Sequence, residues 1–304
     1  MLDNHKAAED IYVIDANLFS FPKYGAVYLL AEQEMTLIEA GCASSAASVL
    51  RNIRKLGFDP KDIRNIVVTH IHLDHAGATG ILLKEMPQAR VIVHKKGAKH
   101  LIDPSRIENS LKSFSGDDLL KLYGKSFPVE SKRVLPVEDG DIIQLSPNQQ
   151  LRIIYTPGHA PHHMCIYESK NNGLFTGDAV GIYLSYEDAL IPTTPPPDID
   201  LEVYVNTINS LKEIRPDILY FSHFGETRQV NSVLERSADT FKTWGDIISN
   251  ALKRGDKQLA IQELQAHAAD DLKHINDRLL FDYNINHFVP MCALGLIKYY
   301  QEKQ

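Results

Sequence analysis

Four short apolar runs in this chain each end on a residue able to hold a metal ion or move a proton. Asn65-Ile-Val-Val-Thr69 runs into His70-Ile71-His72-Leu73-Asp74-His75, and Leu151-Arg-Ile-Ile-Tyr155 runs into Thr156-Pro157-Gly158-His159. Leu174-Phe175-Thr176 leads to Gly177-Asp178, and Ile218-Leu-Tyr-Phe221 leads to Ser222-His223. Runs this short, rich in Val, Ile, Leu, Tyr and Phe, are strand signals. In α/β sheets, ligands gather beyond the carboxyl ends of the strands, so this pattern delivers His70 to His75, His159, Asp178 and His223 to one edge of the fold. Taken singly, His159, Asp178 or His223 is more simply a structural residue. Four strands ending alike are hard to ascribe to chance.

The rest of the chain fits the same class. Ile11 to Ile14, Ala26 to Ala31 and Met35 to Glu39 read as strands, the last two joined by the polar Glu32-Gln33-Glu34 turn, so the N-terminal part is partly antiparallel. Ser44 to Leu56 places Ala47, Leu50, Ile53 and Leu56 at helical spacing and stops at Gly57, where a glycine cap belongs. Further strands are expected at Arg90 to His94, Met164 to Glu168, Gly173 to Thr176 and Asp217 to Ser222. Two stretches break the alternation: Lys99 to Pro136, and the stiff run Ile191-Pro-Thr-Thr-Pro-Pro-Pro-Asp198. Long irregular stretches in compact domains are usually functional, so Lys99 to Pro136 and the segment Ile182 to Asp198 that contains the proline run are expected to flank a pocket. After Gly225 strand signals cease, and Val233, Leu234, Ala238, Phe241, Trp244, Ile248 and Leu252 form an apolar helical stripe. The expected division is a domain over residues 1–225 and a helical region over 226–304.

Composition narrows the function. With 44% hydrophobic residues among 304 and a charge of −7 without a basic run, disorder is excluded and phosphate-backbone binding is disfavoured. The longest apolar runs, such as Phe288 to Ile297, fall short of the roughly 18 residues a membrane span needs. The first residues carry no charged-then-apolar signal, and Cys42, Cys165 and Cys292 show no Cys-x-x-Cys pair, which points to a cytoplasmic protein with reduced thiols. A small-molecule substrate is therefore expected, with no nucleic acid and no membrane, and a homodimer left open.

Histidine nitrogens suit Zn²⁺ and neighbouring metals, and an aspartate oxygen offsets the ion's charge. Side chains at i and i+2 of a strand end can point at one ion, while the turn after them directs Asp74 and His75 toward a second. The ordered set His70-x-His72-x-Asp74-His75, Thr-Pro-Gly-His159, Gly-Asp178 and His223 resembles the metal motifs of the metallo-β-lactamase superfamily over roughly residues 10–225. The resemblance implies an α/β protein, a four-layer αβ/βα sandwich (the metallo-β-lactamase fold) with a C-terminal helical extension. It implies His70, His72 and His159 on one metal, Asp74, His75 and His223 on the other, and Asp178 bridging both. Two divalent ions would be the cofactors: zinc, with iron or manganese as alternatives, since His and Asp accept all three.

The activity so implied is hydrolysis of a small ester, thioester or lactone by a metal-bridging hydroxide, with Asp74 as ligand and proton acceptor. His163 matches a histidine that follows the Thr-Pro-Gly-His motif in relatives and is read as structural. Tyr24, Tyr183 and Phe224 adjoin the motifs and are expected to line the substrate pocket. Departures trim the choices: Glu39-Ala40-Gly41 stands where many relatives have Asp-Thr-Gly, and no Gly-Cys-Gly-Lys/Arg follows Asp178. True β-lactamases of the superfamily lack the bridging Asp. The acyl-homoserine lactonase relatives carry a Tyr where this chain has Gly181. The alternatives are a mononuclear iron-dependent dioxygenase of the persulfide dioxygenase type, built on His70, His72 or His159 and Asp178, and a non-enzymatic metal-binding protein.

Overall fold

The short apolar runs pair into two large sheets. A computed structural model of the protein describes residues 6–303. Its first sheet holds β1 (Lys6–Ala8), β2 (Ile11–Asp15), β3 (Ala26–Leu30), β4 (Thr36–Ile38), β5 (Asn65–Val67), β6 (Arg90–His94) and β7 (Val134–Val137), side by side in chain order. β1 to β4 pair antiparallel and β4 to β7 pair parallel. The remaining strands are β8 (Ile142–Ser146), β9 (Gln149–Tyr155), β10 (Met164–Glu168), β11 (Gly173–Phe175), β12 (Ile182–Leu184), β13 (Ala189–Ile191), β14 (Ile218–Tyr220) and β15 (Glu226–Thr227). The second sheet runs β15-β14-β11-β10-β9-β8, and β12 and β13 form a separate hairpin.

The chain sorts into two compact units. The first gathers the residues up to Tyr155, His162–Gly177 and Asp217–Arg228; the second gathers Thr156–Pro161, Asp178–Pro216 and the residues from Gln229 onward. The first unit contains both large sheets, with α1 (Ala46–Lys55), α2 (Leu73–Ala76), α3 (Thr79–Glu85), α4 (Ala98–Ile102) and α5 (Ser105–Tyr123). Strand periodicity divides its apolar residues between two cores. Leu37, Ile66, Val91 and Val93 face Val49 and Ile53 of α1, Leu82 and Leu83 of α3 and Leu101 of α4. The alternate residues Tyr28, Ile38, Val67 and Ile92 face Ile153, Ile166, Phe175 and Tyr220 of the second sheet. The unit is thus layered helix, sheet, sheet.

The second unit holds the β12–β13 hairpin and five helices: α6 (Leu201–Leu211), α7 (Val230–Lys253), α8 (Lys257–Asp271), α9 (Arg278–Tyr283) and α10 (Val289–Glu302). α7 buries Val233, Leu234, Ala238, Phe241, Trp244 and Ile248, and it packs on α6, α8 and α10. Among the described residues no helix is long and apolar enough to cross a membrane.

Three differences from the sequence reading have physical causes. The Lys99 to Pro136 excursion carries two helices and ends in β7, whose Pro136 argues against a strand; β7 lies at the sheet edge, where a missing N–H is tolerated. Strand pairing continues past Gly225, because Phe224 and Gly225 take positive φ and fold Glu226–Thr227 back onto β14. Two residues are too few to show periodicity. The Ser44 to Leu56 helix opens with a 3₁₀ turn at Ala43–Ser45 before α1 begins.

Candidate metal centre

β5 ends at Val67, and the chain then runs irregularly through Thr69 and His70 to His72, whose backbone is extended, before the single turn α2. This break in backbone form lets neighbouring residues point in different directions. His70 Nε2 lies 3.0 Å from His72 Nδ1. Asp74 Oδ2 lies 3.7 Å from His75 Nε2 and 3.8 Å from His223 Nε2. Asp74, His75 and His223 each offer one ligand atom, all within 4.8 Å of one another.

The far sides of these imidazoles are fixed. Glu39 is buried and takes a left-handed φ of 70°, a conformation uncommon for a residue with a side chain. Its Oε1 accepts from His75 Nδ1 at 3.0 Å, from Thr69 Oγ1 at 2.5 Å and from Ser222 Oγ at 2.8 Å. Because the Thr69 hydroxyl donates its hydrogen to Glu39, it can only accept from His70 Nδ1, 3.1 Å away. Glu39 therefore sets the tautomer of His75 directly and of His70 through Thr69. His223 Nδ1 donates to the Tyr24 carbonyl at 3.2 Å. The His223 turn is itself tied down by the Tyr28 hydroxyl, which bonds the carbonyls of Phe221 and Gly225, and burial pushes that phenol's pKa well up.

A neutral imidazole that donates from Nδ1 presents a bare lone pair at Nε2. In the first unit His75 and His223 both turn Nε2 toward Asp74 Oδ2, at 3.7 and 3.8 Å, so two imidazole nitrogens and a carboxylate oxygen converge on one point. Imidazole nitrogens with one carboxylate oxygen are the donor set of zinc and its neighbours, so the residues fit a divalent ion.

The second unit brings together the other two sequence-predicted ligands. His159 Nε2 lies 3.4 Å from Asp178 Oδ2, and His159 Nδ1 donates to the Thr193 carbonyl at 3.0 Å. Both side chains are buried. Here too an imidazole Nε2 and a carboxylate oxygen face each other.

The remaining expected residues fall as follows. Buried His163 approaches Gly177, where an added Cβ would meet its Nε2 at 2.6 Å, and its ring centroid is 5.0 Å from that of His70. Tyr24 packs its ring against His223 at 5.6 Å, and half-buried Phe224 packs on the inter-sheet core. Tyr183 lies on β12, its hydroxyl bonded to Asp188 at 2.8 Å and its ring under Arg236. Thr69, Ser222 and Thr193 escape the sequence reading because a hydroxyl at a strand end or in a proline-rich run is ordinary. Glu39 carried one signal, an unusual carboxylate in the Asp-Thr-Gly position.

Comparison with known proteins places these residues in context. The family model described as "Metallo-beta-lactamase superfamily" matches residues 21–223. A relative from Sulfurisphaera tokodaii, the metallo-beta-lactamase fold-containing protein ST1585, is 32% identical over 71% of this chain and 78% of its own. The crystal structure of ST1585 superposes with a TM-score of 0.64 at 29% identity, covering 76% of this chain and 85% of that one. The N-acyl homoserine lactonase AttM of Rhizobium radiobacter is 29% identical over 54% of this chain and 56% of its own. The human acyl-coenzyme A thioesterase MBLAC2 is 29% identical over 49% of this chain and 50% of its own. This chain thus spans about half the length of those two enzymes.

Proposed function

The chain belongs to the metallo-β-lactamase superfamily and has its fold, and from that premise we propose that it is a hydrolase of a small ester, thioester or lactone working with two divalent ions. One observation carries this reading: Asp74, His75 and His223 present three ligand atoms within 4.8 Å while the two imidazoles spend their Nδ1 hydrogens elsewhere. Asp74, His75 and His223 would hold one ion, His70, His72 and His159 the other, and Asp178 would be shared.

Divalent ions bound by these residues would polarise a substrate carbonyl and bring the pKa of a water toward 7. The protein's own part is to hold, orient and move a proton. Glu39 keeps His75 and His70 in the binding tautomer. A carboxylate has two oxygens, so Asp74 can bind through Oδ2 and take the attacking water's proton at Oδ1. The named activities of AttM and MBLAC2, a lactonase and a thioesterase, support the substrate class.

Elemental analysis of the purified chain, followed by a lactone and thioester panel with the metal found, tests the proposal. The expected result is two ions per chain, with His75→Ala and His223→Ala each losing one ion and most of the hydrolysis. Full occupancy and full rate in both variants would overturn it. One iron per chain with oxygen uptake would replace it with a dioxygenase.

A further inference from the structure

The proline-rich segment has no place in the chemistry above, yet its hydrogen bonds lead to two of the ligands. We propose that Thr193 is the positioning residue for His159 and Asp178 and that α10 holds Thr193 in place; this rests on the functional reading above, in which those two side chains bind metal.

Thr193 is buried, and it works with both ends. Its carbonyl accepts the His159 Nδ1 hydrogen at 3.0 Å, which turns Nε2 toward Asp178. Its hydroxyl meets the Asp178 carbonyl at 3.3 Å and the Tyr204 hydroxyl at 2.9 Å, and Tyr204 also donates to the Asp178 carbonyl. Tyr204 is fixed in turn. A Cβ on Gly158, the residue before His159, would fall 2.4 Å from the Tyr204 Cα, and Thr207 donates to the Pro157 carbonyl at 2.7 Å. One hydroxyl and one carbonyl of Thr193 thereby set the ring of His159 and the backbone of Asp178 against α6.

The segment is gripped from its other side by α10. Thr194 donates from its N–H to Cys292 Sγ at 3.4 Å and from its hydroxyl to the Cys292 carbonyl at 3.0 Å. Burial pushes the Cys292 thiol up to about 12, so it stays protonated and donates to the Pro192 carbonyl at 3.5 Å. Lys298 donates to the Pro197 carbonyl at 2.9 Å. Gly295 is required by the approach itself: a Cβ there would lie 1.9 Å from the Thr194 carbonyl oxygen. Prolines at 192, 195, 196 and 197 fix φ and remove N–H donors, so the run cannot trade these bonds for others. A helix about 100 residues farther along the chain therefore holds the carbonyl that orients a ligand.

The test uses the full chain loaded with Co²⁺, reading stoichiometry, affinity by chelator competition and the visible spectrum, with thermal unfolding of the metal-free chain alongside. Thr193→Val keeps the shape and removes the hydroxyl. It should weaken one of the two ions by roughly 10–100-fold, the range seen when partners of metal ligands are lost, and alter the cobalt spectrum. Thr193→Ser, which restores the hydroxyl, should return both to wild type. Cys292→Ala, made in parallel, should weaken the same ion in the same direction and decides the matter should the valine variant not fold. Wild-type affinity and spectrum in Thr193→Val, or in Cys292→Ala where it stands alone, would overturn the inference while the wild-type chain still binds two ions. A wild-type chain that binds no cobalt would overturn the functional reading, and this inference with it.

Discussion

His75 of the first unit and His159 of the second are oriented by different means, while His223 of the first unit shares with His159 a main-chain carbonyl behind Nδ1. Behind His75 in the first unit stands a carboxylate, Glu39, which also reaches His70 through the Thr69 hydroxyl. Behind His159 in the second stands a neutral main-chain carbonyl, that of Thr193. A negative charge behind an imidazole raises its basicity as well as fixing its tautomer, whereas a carbonyl mainly fixes direction. His75 and His70 should thus be sensitive to charge, and His159 to backbone position. That contrast makes different substitutions informative in each.

The harshest break is Asp178→Asn, which keeps the volume and removes the charge. Under the proposed function, in which Asp178 binds metal directly, the variant should lose at least the roughly 10–100-fold in affinity seen for outlying partners, with one ion and most of the hydrolytic rate going together. Metal titration with hydrolysis measured at each point checks this, and unchanged two-metal binding with normal turnover would remove Asp178 from the site.

Glu39→Gln sharpens the comparison from the other side. The amide oxygen can take the place of Oε1 with its three donors, but the NH₂ then replaces Oε2 and faces the Thr69 backbone N–H, which Oε2 accepts at 3.3 Å. Leaving a buried donor unmatched costs about 1–3 kcal/mol, which denaturant unfolding of the metal-free chain would read. Metal affinity should fall by roughly tenfold or more, on the His75 side. An affinity equal to wild type would mean that the charge behind the imidazole is irrelevant and that His75 and His159 do not differ in kind.

The smallest effect belongs to Tyr183→Phe. Burial pushes the Tyr183 phenol up to about 12, and its hydroxyl donates to Asp188. Burial pushes the Asp188 carboxyl up, but that hydrogen bond and Arg236 outweigh it and hold it below the ordinary value. Loss of the hydroxyl should cost roughly 0.5–1.5 kcal/mol and leave metal content unchanged. A depressed carboxyl stabilises the fold above its unfolded pKa and loses that contribution as pH falls through the folded one. The gap between variant and wild type should therefore be full at neutral pH and shrink in acid. A change in KM at constant stability would instead support the pocket role expected from the sequence.

The sheet residues were legible because β-strand alternation forces every second side chain into one core, as Val91 and Val93 against Ile92 show. The candidate ligands stood out in the sequence because histidines and aspartates cluster at strand ends. The groups behind them were not, for a reason of distance: Glu39 finds Thr69 30 residues away and Ser222 183 residues away. Nothing local in a serine or threonine marks such a partner. β7, β8 and the β12–β13 hairpin were missed because three to five residues give periodicity little room, and Pro136 in β7 and Gln144 in β8 interrupt those two runs.

The insertion of β14 between β11 and β15 bears on the order in which the molecule can be made. A nascent chain presents Tyr28 and Glu39 early, but the Phe221 and Gly225 carbonyls and the Ser222 hydroxyl that partner them come late. At about 5–20 residues per second, Glu39 precedes Ser222, 183 residues on, by roughly ten to forty seconds. Late in that interval, after β11 has emerged and before β14 follows, the second sheet ends at an unpaired β11, an open edge of the kind that recruits other chains. Synthesis of this protein therefore contains a window in which crowding and holdase chaperones can influence the yield, and the window closes only when residues 218–227 have emerged.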